Sequence, residues 1–147
     1  MADYEAGRRA IRVFHAALAE GRSISLETTL TGRTVLARLR TARAAGYDVT
    51  LIYIALENAE LNVQRVAQRV SRGGHDIEPS LVRRRVGESQ ANLPQALALA
   101  QRAVVLDNSG PAYRRLLEMR NRDIVFISPD IPDWPKRRLS AIRTMLA

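Results

Sequence analysis

The 147-residue chain contains no cysteine, only two histidines and a single lysine, Lys136. Without cysteine there are no disulfides or thiolate metal sites, and His15 and His75 have no clustered partners, so we predict no metal site. No apolar run approaches the roughly 20 residues that span a bilayer, and the N-terminus is too polar for a signal peptide. We therefore expect a cytoplasmic protein that has no membrane partner.

Aromatic residues are also scarce, at 5% of the chain, whereas 23 Lys and Arg face 15 Asp and Glu, giving a formal net charge of +8. A positive charge of this size favours anionic partners. Nucleic acid is the least favoured of them, because the arginines are not interleaved with aromatic rings on which bases stack. The alternative is an ordinary solvated basic surface.

A third absence concerns phosphate binding. The loop that cradles phosphates reads Gly-x-x-x-x-Gly-Lys-Ser/Thr between a strand and a helix. The sequence contains no such motif, and Lys136 follows Asp133-Trp134-Pro135, which is no candidate. We accordingly assign no catalytic residue.

The hydrophobic patterning predicts one α/β domain over residues 1–147. Predicted helices cover residues 3–20 and 33–45, begin near Asn58, Ser80 and Asn92, and end with one over 134–146. Predicted strands cover 23–27, 49–56 and 103–106, followed by a hairpin of 113–119 with 123–128. The first three strands are expected to form a parallel sheet sandwiched by helices in three layers.

Polar residues follow the first predicted strand. Because ligands of open α/β sheets bind beyond the carboxyl ends of the strands, Glu27, Thr29, Thr31 and Arg33 are candidate substrate-binding residues. The alternative is structural: Thr31 caps the next helix and Glu27 pairs with a nearby arginine.

Arginines also mark one side of the third predicted helix. Arg65, Arg69 and Arg72 are spaced i, i+4 and i+7 opposite the apolar stripe, and Gly73-Gly74 and Arg83-Arg84-Arg85 follow. Two basic elements joined by a glycine hinge are typical of a kinase lid that closes over phosphates. A solvated helix face is the alternative explanation.

Several ordered motifs together resemble the zeta toxin family of P-loop kinases over about Tyr4 to Ser128. They are Glu27 to Gly32, Ala44 to Val49, Arg65 to Asp76, Arg83-Arg84-Arg85, Asn92-Leu93 and Asp107 to Gly110. Family members begin with a strand, a Walker A loop and a segment that carries the catalytic aspartate, and the printed sequence starts downstream of these motifs. We therefore expect a P-loop-kinase-like domain that is incomplete at its N-terminus.

The resemblance implies a phosphotransferase that uses ATP and Mg²⁺ on a small molecule or nucleotide sugar, such as UDP-N-acetylglucosamine. It implies that Glu27 and Thr29 contact the substrate and that Arg72 and Arg85, with Arg65 and Arg69, face the nucleotide phosphates. Thr31 stands where the toxins often have arginine, for which Arg33 would compensate. It also implies an antitoxin protein as a partner.

Because the phosphate loop is absent, we expect ATP and Mg²⁺ to bind weakly or not at all and this chain to be inactive by itself. The alternative function is a non-catalytic relic of the fold that binds an anion or a partner protein. An incomplete sheet would expose apolar surface, and large exposed apolar patches usually bind partners. We therefore expect this chain to form a homodimer more readily than an intact relative does.

The lid interpretation predicts fast amide hydrogen exchange in the lid segment, residues 72–88, and slow exchange in 49–56. The lid segment has two adjacent glycines and mutually repelling arginines but few apolar anchors. Added polyphosphate should slow its exchange selectively. Equal protection of both segments without any anion, measured by mass spectrometry, would contradict the lid.

Overall fold

The structure is a computed structural model that describes residues 2–132 together with Trp134 and Pro135. The helices of the described residues are α1 (Ala2–Ala19), α2 (Thr34–Ala44), α3 (Ala59–Val70) and α4 (Pro79–Leu99). The strands are β1 (Thr50–Ala55), β2 (Arg102–Asp107), β3 (Arg114–Arg120) and β4 (Asp123–Ile127). No helix of this part of the chain is long and apolar enough to cross a membrane. The helix predicted over 134–146 lies largely outside the described residues.

The four strands form one sheet in the order β1-β2-β3-β4. β1 and β2 are parallel, with Ala55 opposite Asp107, whereas β2–β3 and β3–β4 are antiparallel. The predicted hairpin is confirmed, and its turn residues Asn121 and Arg122 both have positive φ, at 52° and 73°, as a type I′ turn requires. The sheet is therefore mixed: β1 and β2 are parallel as predicted, whereas the hairpin joins them in the same sheet through antiparallel pairing.

The prediction of a strand over residues 23–27 is wrong. Residues 22–31 have no regular secondary structure. The alternation of Ile24 and Leu26 with polar residues favours an extended chain, but a strand needs a hydrogen-bonded neighbour, and Leu26 is left exposed. The segment ends instead at Leu30, which is buried in the core.

Two predicted helices are one. The helices expected to begin near Ser80 and Asn92 form the single 21-residue helix α4, with Pro94 inside it. Asn92 suggests a helix start because asparagine is a good cap. Here its side chain serves another segment of the chain instead. By contrast, Asn58 caps α3 as predicted, its side chain accepting a hydrogen bond from the Leu61 amide at 2.9 Å.

The core lies on one face of the sheet, where α2 and α4 pack. Leu93 and Leu97 of α4 and Val105 and Leu117 of the sheet are fully buried. The other face of β1 is open: Ile52 is 66% exposed and Ile54 is 50% exposed. Burial of apolar surface on one side therefore fixes the helices over the sheet, and the described residues do not form the three layers that we predicted.

The one-sided core predicts unequal effects of substitution in the sheet. Leu117→Ala should lower the free energy of unfolding by about 2–5 kcal/mol, because it leaves a cavity in a filled core. Ile52→Thr should change it by no more than about 0.5 kcal/mol, because the side chain is mostly in water and threonine keeps the β-branched shape. Urea denaturation followed by circular dichroism measures both, and a large loss from Ile52→Thr would mean that this face is covered.

Candidate functional site

Three arginines meet at a surface depression at the end of α3. The depression has a volume of about 470 Å³ and is lined by Arg65, Gln68, Arg69, Arg72, Gly73 and Gly74; we call it the basic depression. The predicted grouping of Arg65, Arg69 and Arg72 is thus present. The Arg72 side chain makes no hydrogen bond or ion pair within the described residues, so its guanidinium is available to a ligand.

The two glycines shape this depression by ending α3. Gly73 has φ +84°, its amide donates to the Val70 carbonyl at 2.9 Å, and the Gly74 amide donates to the Arg69 carbonyl at 3.0 Å. These two bonds form a Schellman motif, which glycine favours at the left-handed position. A Cβ on Gly74 would lie 2.5 Å from the Arg69 Cγ and 2.8 Å from its carbonyl oxygen. The pair therefore closes a helix, where the sequence suggested a hinge.

Arg65 ties the basic depression to the end of the sheet. Its guanidinium donates to the carbonyl of Asn108, just beyond β2, at 2.6 Å. The Asn108 amide in turn donates to the carbonyl of Ala55, the last residue of β1, at 2.8 Å. Arg65 is half-buried, and its charge lies beside the carboxyl ends of both parallel strands.

A second depression, the strand-end pocket, opens at those carboxyl ends. It has a volume of about 460 Å³ and is lined by Glu57, Asp107, Ser109, Gly110, Pro111, Ala112 and Arg114. The Ser109 hydroxyl joins the two strand ends, because it accepts from the Glu57 amide at 2.6 Å and donates to the Asp107 carboxylate at 2.5 Å. This is the edge at which open α/β sheets bind ligands.

Asp107 carries the negative charge at the floor of the strand-end pocket and is only 5% exposed. One oxygen accepts from the Ser109 amide and hydroxyl, and the other accepts from the Arg114 guanidinium at 2.8 Å. Burial alone would raise the pKa of Asp107, but these hydrogen bonds and the charge of Arg114 outweigh it and lower the pKa. Asp107 is therefore a paired carboxylate.

Asp107 is not a free ligand for a metal ion. Both carboxylate oxygens of Asp107 already accept hydrogen bonds within the protein. In the part of the chain that the structure covers, no group of three acidic, histidine or cysteine side chains is placed to hold a metal. Magnesium in phosphoryl transfer is held by free carboxylate or hydroxyl oxygens together with phosphates.

The predicted substrate residues lie on the segment that precedes α2. Glu27 and Thr29 are exposed, and the Thr29 and Thr31 hydroxyls are 2.8 Å apart. Arg33 is the N-cap residue of α2 but makes no side-chain capping bond, and Thr31 does not cap the helix either. No hydrogen bond or ion pair of the described residues joins this group to the basic depression.

The second predicted basic element is less available to a ligand than the first. Arg83 makes a two-pronged ion pair with Glu60 of α3 at 2.6 and 3.0 Å, and Arg84 pairs with Glu88. Arg85 is half-buried, is unpaired within the described residues and does not line the basic depression. The ion pair with Glu60 joins α4 to α3, so Arg83 is engaged within the fold of the described residues, whereas Arg72 is not.

Sequence reasoning missed the side chains of the strand-end pocket and the role of Asn92. Asp107 follows four apolar residues and ends a parallel strand, and that pattern alone points to a carboxylate at the ligand-binding edge. Asn92 lies in mid-helix, where asparagine is unfavourable unless its side chain bonds elsewhere. No local sequence pattern indicates a role for Arg114, because its pairing with Asp107 depends on the antiparallel register of β2 and β3.

Two parallel strands, helices packed on the sheet, and polar side chains at the strand ends place the chain among α/β proteins that bind ligands at that edge. The family model described as zeta toxin matches residues 2–129. The chain belongs to the zeta toxin family, and its domain is kinase-like.

A relative from Haemophilus influenzae (strain ATCC 51907 / DSM 11121 / KW20 / Rd), described as an uncharacterized protein, is 39% identical over 85 residues. The match covers 58% of this chain and 61% of the relative, so the chain spans about three fifths of that protein's length. No solved structure matches.

The Asp107–Arg114 pair predicts a specific acid dependence of stability. Because the folded pKa of Asp107 is lowered below its unfolded value of about 3.9, the ionised carboxylate stabilises the fold above that pH. This stabilisation is lost as the pH falls through the folded pKa. Arg114→Gln should therefore lower the free energy of unfolding at neutral pH and flatten its decline below about pH 4.

Urea denaturation at a series of pH values measures this difference. The pKa values of Glu60, Glu78 and Glu118 are also lowered, so only the difference between variants reports on the carboxylates that Arg114 pairs with, the buried Asp107 and the exposed Asp130. Arg12→Gln, which removes an exposed arginine of α1, should give a curve parallel to that of the unsubstituted chain. A parallel curve for Arg114→Gln would show that the pair does not couple to folding.

Proposed function

We propose that this chain is the ligand-binding part of a zeta-toxin-like phosphotransferase domain. The basic depression receives the phosphates of a nucleotide or nucleotide sugar, and the segment around Thr29 and Thr31 receives the group to be phosphorylated. The observation that carries the proposal is the meeting of Arg65, Arg69 and Arg72 around one depression, beside the carboxyl ends of the parallel strands.

The chemistry of these side chains supports phosphate as the ligand. Guanidinium groups bind phosphate oxygens through paired hydrogen bonds, and the planar fork loses little freedom in doing so. Arg69 uses one donor on the His75 carbonyl at 3.0 Å, which holds the side chain over the depression and leaves further donors. Arg72 adds an unpaired charge at the rim.

We further propose that these 147 residues do not transfer phosphate by themselves. The sequence has no Gly-x-x-x-x-Gly-Lys-Ser/Thr motif, and Asp107 is engaged by Arg114 and Ser109. The pairing of Asp107 also favours a second candidate function, a non-catalytic protein that binds an anion or an anionic partner. The two functions share the basic depression and differ in whether a phosphoryl group moves.

Calorimetric titration with tripolyphosphate tests the basic depression. Binding should weaken as salt is added, because exposed charges are screened. Arg69→Gln and Arg72→Gln should each weaken it by about two- to fivefold, since an exposed charge pair contributes up to about 1 kcal/mol. Arg12→Gln makes the same change of net charge on α1 and should have little effect.

A second titration, with Mg²⁺-ATP in place of tripolyphosphate, tests the non-catalytic assignment. We expect no preference for Mg²⁺-ATP over tripolyphosphate and no transfer of labelled phosphate to UDP-N-acetylglucosamine. A dissociation constant for Mg²⁺-ATP in the low micromolar range, or measurable transfer, would overturn the non-catalytic assignment. Equal effects of Arg12→Gln and Arg72→Gln on tripolyphosphate binding would overturn the depression as the binding site.

A further inference from the structure

Ser109 fixes the end of β2 and does not itself line the basic depression. Its hydroxyl accepts from the Glu57 amide at 2.6 Å and donates to the Asp107 carboxylate at 2.5 Å. Its backbone amide donates to the same carboxylate oxygen at 3.0 Å, which makes the turn that aspartate side chains favour two residues ahead. Serine and threonine are the small residues whose side chain both donates and accepts well, so this set of bonds depends on the residue type.

The bonds of Ser109 also fix the carbonyl of Asn108. This carbonyl and the Ser109 amide belong to one planar peptide unit, so an amide aimed at Asp107 sets the direction of the carbonyl. The Asn108 amide is held in turn by the Ala55 carbonyl at 2.8 Å. Both peptide units around Asn108 are therefore fixed, and its carbonyl accepts from the Arg65 guanidinium at 2.6 Å.

Arg65 depends on this carbonyl for its position. Helix α3, which carries it, has no fully buried residue, so helix packing alone defines the arginine weakly. Its remaining N–H donors make no other hydrogen bond within the described residues, and the residue lines the basic depression. A guanidinium that is already held loses less rotamer freedom when a phosphate binds, so holding it tightens binding.

We propose that Ser109 is a positioning residue for phosphate binding at the basic depression. Its hydroxyl fixes the end of β2, and the Asn108 carbonyl then holds the Arg65 guanidinium in place for the ligand. The inference rests on the proposed function in that phosphate is the ligand of the depression. It adds that a side chain of the strand-end pocket sets part of the affinity of the neighbouring depression, through one peptide unit.

Titration with tripolyphosphate in single and double variants tests this role. Ser109→Ala should weaken binding about two- to tenfold, the effect of leaving one arginine side chain to be ordered, and by no more than Arg65→Gln does. In the Arg65→Gln background Ser109→Ala should have no further effect, because it acts through Arg65. In the Arg72→Gln background its full effect should remain. Ser109→Thr keeps the hydroxyl and should bind like the unsubstituted chain.

Ser89→Ala is the matched control. It also removes one serine hydroxyl, which bonds the Tyr53 hydroxyl at 3.1 Å, and it should leave the affinity for tripolyphosphate unchanged. Should Ser109→Ala not fold, Ser109→Cys takes its place. A thiol donates and accepts only weakly, so this variant should show part of the loss.

A second measurement needs no ligand. Phenylglyoxal adds to free guanidinium nitrogens, and peptide mapping by mass spectrometry gives the reaction rate at each arginine. Arg65 should react slowly in the unsubstituted chain, Ser109→Thr and Ser89→Ala, and several times faster in Ser109→Ala. The rate at Arg72 should be high in all four proteins, because its guanidinium makes no hydrogen bond or ion pair within the described residues.

Three results would overturn the inference: tripolyphosphate binding unaffected by Ser109→Ala, an equal effect of Ser109→Ala in the Arg65→Gln and Arg72→Gln backgrounds, or a reaction rate of Arg65 unchanged by Ser109→Ala. Failure of tripolyphosphate to bind the unsubstituted chain would instead overturn the proposed function. A faster reaction of Arg65 in Ser109→Ala would then still support the positioning of Arg65 by Ser109.

Discussion

The packing of α4 into the sheet is the interaction on which the other parts of the structure depend. Leu93, Ala96 and Leu97 are completely buried between the helix and the strands. Successive turns of the same helix then reach other elements: Arg83 pairs with Glu60 of α3, Ser89 bonds the Tyr53 hydroxyl at 3.1 Å, and Asn92 holds the segment before α2. Since α3 has no fully buried residue of its own, α4 also determines where the basic depression lies.

The arginines of this basic chain perform two different tasks. One group neutralises carboxylates within the fold, including Arg114 with Asp107, and Arg120 and Arg115 with Glu118. Hydrogen bonding from Arg120, aided by the charge of Arg115, lowers the pKa of Glu118, and Arg115 also stacks 4.1 Å from the Phe126 ring centre. The second group, Arg65, Arg69 and Arg72 at the basic depression, keeps guanidinium N–H donors that are not used within the described residues. Net charge alone does not distinguish the two groups, whereas pairing does.

Local signals in the sequence predicted much of this fold. The Asn58 cap, the β1 and β2 apolar runs, the hairpin and the grouping of Arg65, Arg69 and Arg72 follow from helix and strand periods and from turn residues. The absence of a strand at 23–27 and the continuity of α4 could not be predicted from such local patterns, because both depend on residues that are distant in the sequence. Asn92 gives its side chain to a segment about 60 residues earlier, and no local pattern carries that contact. For the same reason, the Asp107–Arg114 pair could not be predicted from the sequence. Whether the predicted substrate and phosphate residues bind those ligands stays a prediction.

Leu30 is buried in the core with a left-handed backbone, at φ +55°, and this conformation restricts which residues the position accepts. Burial by itself would allow leucine, isoleucine, valine or methionine, all of similar hydrophobicity. A side chain branched at Cβ crowds the carbonyl in the left-handed region far more than an unbranched one. Isoleucine and valine are therefore disfavoured on backbone grounds, whereas leucine is tolerated and methionine would be. Backbone chirality therefore limits the choice of side chain at this core position as much as volume does.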